Sequence, residues 1–212
     1  MSMMLALAFG AADAAPTTTD FTVGGLKFRV AIPAGFCLPQ GEQITQAAQI
    51  AAGDPANITN VMLIECGVQS PALPELVAIK TLRMYATTPL QRETFIAQIA
   101  AALPTIETPD AQQKLLQQTS GSIASATGTK VDLKGALRGQ GRDATCAYIG
   151  GSIDVTFAGK QATGVIGACA TVVGSRQFSV YRVSYKPQSD GGAGLLTETR
   201  KIALTIKPLA DK

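Results

Sequence analysis

The sequence predicts an α+β domain, an antiparallel β-sheet with helices packed on it as in an α/β/α sandwich. Three observations lead there. Alternating runs flank short glycine turns, three strand-like runs follow one another between Ala144 and Lys186, and a last amphipathic segment closes the chain. Strands, then helices, then strands and a final helix is the order of an antiparallel sheet rather than of repeated β-α-β units.

In chain order, residues Met1 to Ala14 read as a signal peptide: small and apolar, ending in Ala12-Asp13-Ala14, a small-x-small cleavage site, although no Lys or Arg precedes Met3 to Leu7. Residues 15–212 then read as a single domain, because no linker-like stretch divides them. Asp20 to Val23 and Leu26 to Ile32 flank Gly24-Gly25, a hairpin signal, with Leu26, Phe28, Val30 and Ile32 turned to the core. Glu42 to Ala52 has helical composition, with Ile44, Ala47, Ala48 and Ala51 on one side and Gly53 at its end. Asn60 to Val68 and Leu76 to Tyr85 read as strands separated by Pro71 and Pro74.

Thr88-Pro89-x-Gln91 is a helix start, with Thr88 as N-cap and Pro89 at the first helical position. That helix buries Phe95 or Ile96, Ile99 and Leu103, and Pro104 is expected to stop it. Thr108-Pro109-Asp110 starts a second, more polar helix through about Ala126. Lys130 to Arg138 alternates Val131, Leu133 and Leu137 against Lys130, Asp132, Lys134 and Arg138, one core face and one solvent face. The last helix, after Gly194, places Leu195, Thr199, Ile202 and Ile206 at helical spacing.

Between these lies the meander. A turn at Gly174-Ser175 sets Val173 opposite Arg176, Thr171 opposite Phe178 and Cys169 opposite Val180. A second turn falls at Ala158 to Lys160. Cys146 and Tyr148 differ in parity from Ile153, Val155 and Phe157, so a strand with one core face requires a bulge, expected at Gly150-Gly151. Gln161 to Val173 is apolar or small on both parities and reads as a central strand, its Gly164 and Gly167 leaving room for a helix.

Four cysteines without a Cys-x-x-Cys pair suggest two disulfides in an exported protein. Of three connectivities, the local pairs Cys37 with Cys66 and Cys146 with Cys169 are preferred, the latter because the meander brings its cysteines within about two rungs.

The hairpin reading Gly25-Leu26-Lys27-Phe28-Arg29-Val30-Ala31-Ile32-Pro33-Ala34-Gly35-Phe36, with the late meander and amphipathic C-terminal helix, resembles the PsbP and Mog1-like α/β/α sandwich proteins. The resemblance spans most of the mature chain. It implies a binding or assembly module rather than an enzyme, and no shared catalytic residues to carry across.

The residues themselves lead to the same expectation. The chain has no histidine, which removes Ser-His-Asp and Cys-His mechanisms and the commonest transition-metal ligand. Neither Gly-x-Ser-x-Gly nor Ser-x-x-Lys occurs. No catalytic residue, cofactor or metal site is therefore assigned. Gly139-x-Gly141-x-x-Ala144 has a dinucleotide-like spacing but leads into a strand instead of opening a helix. The Gly191 to Gly194 loop precedes a helix N-terminus suited to an anion, but Asp190 beside it would repel one, so a plain connection is preferred. Asn57-Ile58-Thr59 fits a glycosylation acceptor of a eukaryotic secretory pathway.

Charge is divided unevenly. Residues 15–110 hold five basic and eight acidic residues, and residues 111–212 hold thirteen and six. Lys130, Lys134 and Arg138 share one outward strand face with Arg142 just beyond, a candidate binding face for an anionic envelope component or an acidic protein. Asp132 and Asp143 among them also fit an ordinary solvated face. Nucleic acid is not an expected partner, since no basic and aromatic interleaved motif occurs. The mature chain has no apolar run long enough to span a membrane. The expectation is thus a periplasmic or secreted binding module. Its alternatives are a hydrolase built on two carboxylates, marked by a pocket acid of raised pKa, and a small-ligand carrier, marked by an apolar cavity.

Overall fold

The computed structural model describes residues 17–68, 74–157 and 159–210; the leader expected at Met1 to Ala14, Pro71 and Ala158 lie outside the described residues. Strands β1 (Thr18–Val23) and β2 (Leu26–Ala31) form the predicted hairpin, with Gly24 and Gly25 both at the positive φ that a two-residue turn demands. The short β3 (Phe36–Cys37) leads to α1 (Glu42–Ala52), β4 (Asn57–Glu65) and β5 (Leu76–Leu82). Helices α2 (Arg92–Ile106) and α3 (Pro109–Thr127) precede the meander β6 (Val131–Arg142), β7 (Ala147–Phe157), β8 (Lys160–Val173) and β9 (Arg176–Ser184). Helix α4 (Ala193–Thr205) and the two-residue β10 (Lys207–Pro208) complete the described chain.

The main sheet has seven antiparallel strands in the order β3-β4-β5-β9-β8-β7-β6, and β1-β2-β10 form a second, three-stranded sheet. Strand β8 is interior, as its two-faced apolar pattern predicts. Its pairing with β9 follows the register dictated by Gly174-Ser175, from Val173 opposite Arg176 through Cys169 opposite Val180. Odd residues of β8 face α4 and the small sheet, and even residues face α2. Gly167 shows the first: a Cβ there would lie 2.8 Å from that of Leu195. Ala170 and Val172 show the second, packing with Phe95.

The main core lies between the two sheets and α4. Phe28 and Phe178, both fully buried, meet at 4.9 Å between ring centres, and Phe21 stands 5.7 Å from each. Around them gather Val30, Leu63, Val77, Ile79, Val180 and Ile202. Both predicted disulfides are formed: Cys37–Cys66 ties β3 to the end of β4, and Cys146–Cys169 lies within the core.

Several elements depart from the sequence reading. No bulge interrupts β7 at Gly150-Gly151; it pairs with β8 without a break from Ala147 opposite Ala170 to Phe157 opposite Lys160. The parity conflict resolves because the strand is covered on opposite faces at its two ends. Cys146 joins the core on the α4 side, and Ile153 is buried on the other. The irregularity sits instead in β6, between Gly139 and Arg142. Helix α2 begins at Arg92, not Pro89: the Leu90 N–H is donated to the Ser175 carbonyl, holding the preceding segment against the β8–β9 turn, and the Thr88 hydroxyl points back to the Met84 carbonyl. Pro104 does not stop α2. It falls in the last turn, and the Gln112 carboxamide caps the Ile106 carbonyl beyond it at 2.6 Å. Strand β5 ends at Leu82, followed by a 3-10 turn over Arg83–Tyr85. Helix α1 buries no side chain, and Ile44 remains 58% exposed.

The contact at Gly167 can be tested. Gly167→Ala should destabilise the fold by about 1–3 kcal/mol through overpacking against α4. In a double-mutant cycle with Leu195→Ala, measured by urea unfolding, the two costs should not add.

Candidate functional site

The sequence-derived binding face is only partly assembled. Even-numbered residues of β6 turn to the same side of the sheet as α4, but that helix packs on β8, β9 and only the near end of β7. Lys134 and Arg138 consequently project from an uncovered sheet face, with the exposed Lys130 just ahead of the strand. Asp132 pairs with Lys134 at 3.5 Å, and Asp154 of β7 stands across from Lys134. Ala136, Gly150 and Ser152 keep the ground between the charges low. Arg142 is separated from the other three. The shift after Gly139 pairs it with Ala147, and paired residues share a face, so Arg142 belongs to the opposite side.

Two charge clusters escaped the sequence reading. In the first, the Asp143 carboxylate accepts the N–H groups of Thr145 and Cys146 at 2.7 and 2.8 Å, the Tyr148 hydroxyl at 2.8 Å and the Arg200 Nε at 2.9 Å. Burial pushes this carboxyl up. The four donors, led by the Cys146 N–H, outweigh it and bring the pKa down from 3.8 to about 2. Burial and the bond to Asp143 push Tyr148 up to about 12. The Asp-x-Thr-Cys order is an Asx-turn signal, and it was the one hint available in the sequence. The arrangement fastens α4 to the β6–β7 connection beside the Cys146–Cys169 bond.

The second cluster gathers Glu65, Glu75, Arg182, Ser184, Lys186 and Glu198 where β4, β5, β9 and α4 meet. Arg182 donates to Glu75 at 2.7 Å, pairs with Glu198 and lies 5.1 Å from the centre of the Phe36 ring. The buried Ser184 hydroxyl donates to Glu75 at 2.7 Å. Lys186 Nζ reaches Glu65 at 2.6 Å and Glu75 at 3.7 Å. Burial raises the Glu75 pKa, but the bonds from Arg182 and Ser184 prevail and hold it below the usual carboxylate range. Three carboxylates, Glu65, Glu75 and Glu198, converge here, where a hydrolase would require a pair, yet the buried Glu75 is kept ionised, the reverse of a general acid.

The glycine loop is occupied by its own chain. Asp190 accepts the N–H groups of Gly192 at 2.9 Å and Gly194 at 2.6 Å, so its carboxylate stands where an anion at the α4 N-terminus would sit. Asn57, the sequence's glycosylation candidate, donates to the Asp54 carboxylate at 2.9 and 3.1 Å. Gly139 and Gly141 lie within β6 and open no helix. Among the described residues, one open groove of about 530 Å³ lies between α1 and α3 and another of about 490 Å³ between α3 and β6. Among the described residues no helix is long and apolar enough to cross a membrane.

No family model matches the chain, and a search of curated proteins returns no match. Among solved structures, the chain is similar to the solution structure of cyanobacterial PsbP (CyanoP) from Synechocystis sp. PCC 6803, with 8% identity, 98% of this chain and 99% of that one covered, and a TM-score of 0.37. The α+β assignment itself rests on the strand order and layers described above.

The Asp143 cluster generates a pH prediction. Its folded pKa of about 2 lies below the unfolded value of 3.8, so the unfolded chain takes up the proton first. The stabilisation is therefore complete above the unfolded value and is lost as pH falls through about 2. Asp143→Asn should lower stability at neutral pH, and the gap to the wild type should close over that acid range in pH-dependent denaturant unfolding.

Proposed function

We propose that this chain is a non-enzymatic binding or assembly module, exported to the periplasm or secreted, that meets an anionic partner through the bare face of β6 and β7. One observation supports the reading above others: Lys134 and Arg138 stand on the stretch of sheet that α4 leaves uncovered, with the exposed Lys130 just ahead of it. The half of the chain supplying this face is also the basic half, with thirteen basic and six acidic residues over residues 111–212. A field of that sign steers an anionic partner and fixes its orientation more than it adds affinity.

Cysteine usage agrees with export. Two formed disulfides and no free cysteine are typical of an extracytoplasmic protein. The Asp143 and Glu75 clusters bind their charges internally and serve the fold. An anionic component of the envelope or an acidic protein remains as the partner class, and a binding assay separates them.

The test is retention of the mature domain by its own cell-envelope fraction, with protease-treated and untreated fractions compared. Retention should be strong at about 50 mM salt and weak at about 500 mM, where screening is severe. The triple variant Lys130→Glu, Lys134→Glu, Arg138→Glu should remain folded, since all three side chains are exposed, and should lose retention. Undiminished retention of the folded triple variant would remove the basic face as the site.

A further inference from the structure

Helix α3 lies along the free edge of β6 and closes it with side chains. Leu137 receives both bonds that a neighbouring strand would supply: its N–H donates to Gln112 Oε1 at 3.0 Å, and its carbonyl accepts from Gln112 Nε2 at 2.8 Å. The Leu133 N–H donates to Ser120 Oγ at 3.1 Å, and the Gly139 N–H to Glu107 Oε1 at 2.7 Å. Gln112 is buried in this role.

The spacing explains why a helix can replace a strand here. From Gln112 to Ser120 the helix rises about 12 Å, while from Leu137 to Leu133 the strand runs back about 13 Å. Midway, opposite Gly135, the same spacing sets Leu116, whose side chain has no hydrogen-bonding atom. Outward-facing peptide groups alternate along an edge strand, so Gly135 shares the orientation of Leu133 and Leu137. Among the described residues no side chain bonds its N–H or its carbonyl. The groove of about 490 Å³ opens at this place, lined by Gln112, Gln113, Leu116, Gln117 and Gly135.

We propose that the notch at Gly135 binds a primary carboxamide, either the Asn or Gln side chain of a partner protein or a small amide ligand. The ligand's oxygen accepts from the Gly135 N–H and its NH₂ donates to the Gly135 carbonyl, the pairing that Gln112 already makes with Leu137. Leu116 receives the ligand's carbon stem. An added strand does not fit, because Ser120 and Gln112 bound the opening to a single rung. The site lies on the sheet edge and is independent of the basic face.

The test is a titration of the isotope-labelled protein with acetamide, following backbone amide resonances by NMR. A saturable shift at Gly135 and its neighbours is expected, and roughly fivefold weaker binding of N,N-dimethylacetamide, which keeps the acceptor and lacks the donor. Leu116→Gln places a second carboxamide along the edge, opposite Gly135; in it the Gly135 N–H should be protected from exchange and the acetamide response lost. Should that variant fail to fold, the contrast between the two amides on the wild type still decides. A capped pentapeptide with a central glutamine that binds more tightly than acetamide assigns the site to a partner side chain, and equal binding assigns it to a small amide. An unshifted Gly135 amide throughout the titration, or equal response to both amides, overturns the proposal.

Discussion

The burial of β8 and β9 on both faces is the constraint from which the other packing follows. Buried polar side chains on these strands need partners on neighbouring elements, and several find them. Gln177 accepts the Leu82 N–H, Thr171 donates to the Thr145 carbonyl, and Ser184 donates to Glu75. Each bond reaches a different place, so the central hairpin fixes the end of β5, the β6–β7 connection and the approach to β5 at once. The two faces then need covers of different kinds. The aromatic group of Phe21, Phe28 and Phe178 draws the small sheet and α4 to one side, and Phe95 brings α2 to the other.

A sheet of seven strands still has two edges, and both are closed here without another strand. On one, β3 is only two residues long, the Cys37–Cys66 bond lies beside it, and β4 carries a register shift between Thr59 and Val61. Short edge strands and bulges discourage pairing with other chains. On the other edge, the carboxamide of Gln112 and the hydroxyl of Ser120 act as pieces of a missing strand. The difference between the edges is chemical: the first is blunted, while on the second, side chains bond the N–H groups of Leu133, Leu137 and Gly139 and the carbonyl of Leu137, and none among the described residues bonds Gly135.

Charge is organised by the same separation. Asp143, Glu75 and Asp190 each gather donors from their own chain, and each is held ionised by them. Their work is to fasten α4 and the strand ends. The cations of β6 meet fewer carboxylates and face solvent, so under the proposed function they are the charges offered to a partner. This division, inward carboxylates and outward cations, is the basis for reading the chain as a binding module.

The sequence by itself determined what depends on neighbours along the chain. Gly24-Gly25 and Gly174-Ser175 fixed two hairpins and their registers, Thr108-Pro109 set the start of α3, where the Thr108 hydroxyl accepts the Ala111 N–H, and the meander brought Cys146 near Cys169. Tertiary structure decided what depends on distant partners. Parity predicted a bulge in β7 because a strand viewed alone has one core face, whereas the folded strand is covered on opposite sides at its ends. The Thr88 cap gave way because Leu90 bonds to Ser175, and the four-residue basic ridge lost Arg142 to an irregularity in β6 that no local pattern announced. Arg182 with Glu75 and Gln112 with Leu137 join residues 107 and 25 positions apart. Turns and caps are local and can be read from a few residues; the partner of a buried charge or of a sheet edge exists only once the chain has folded back on itself.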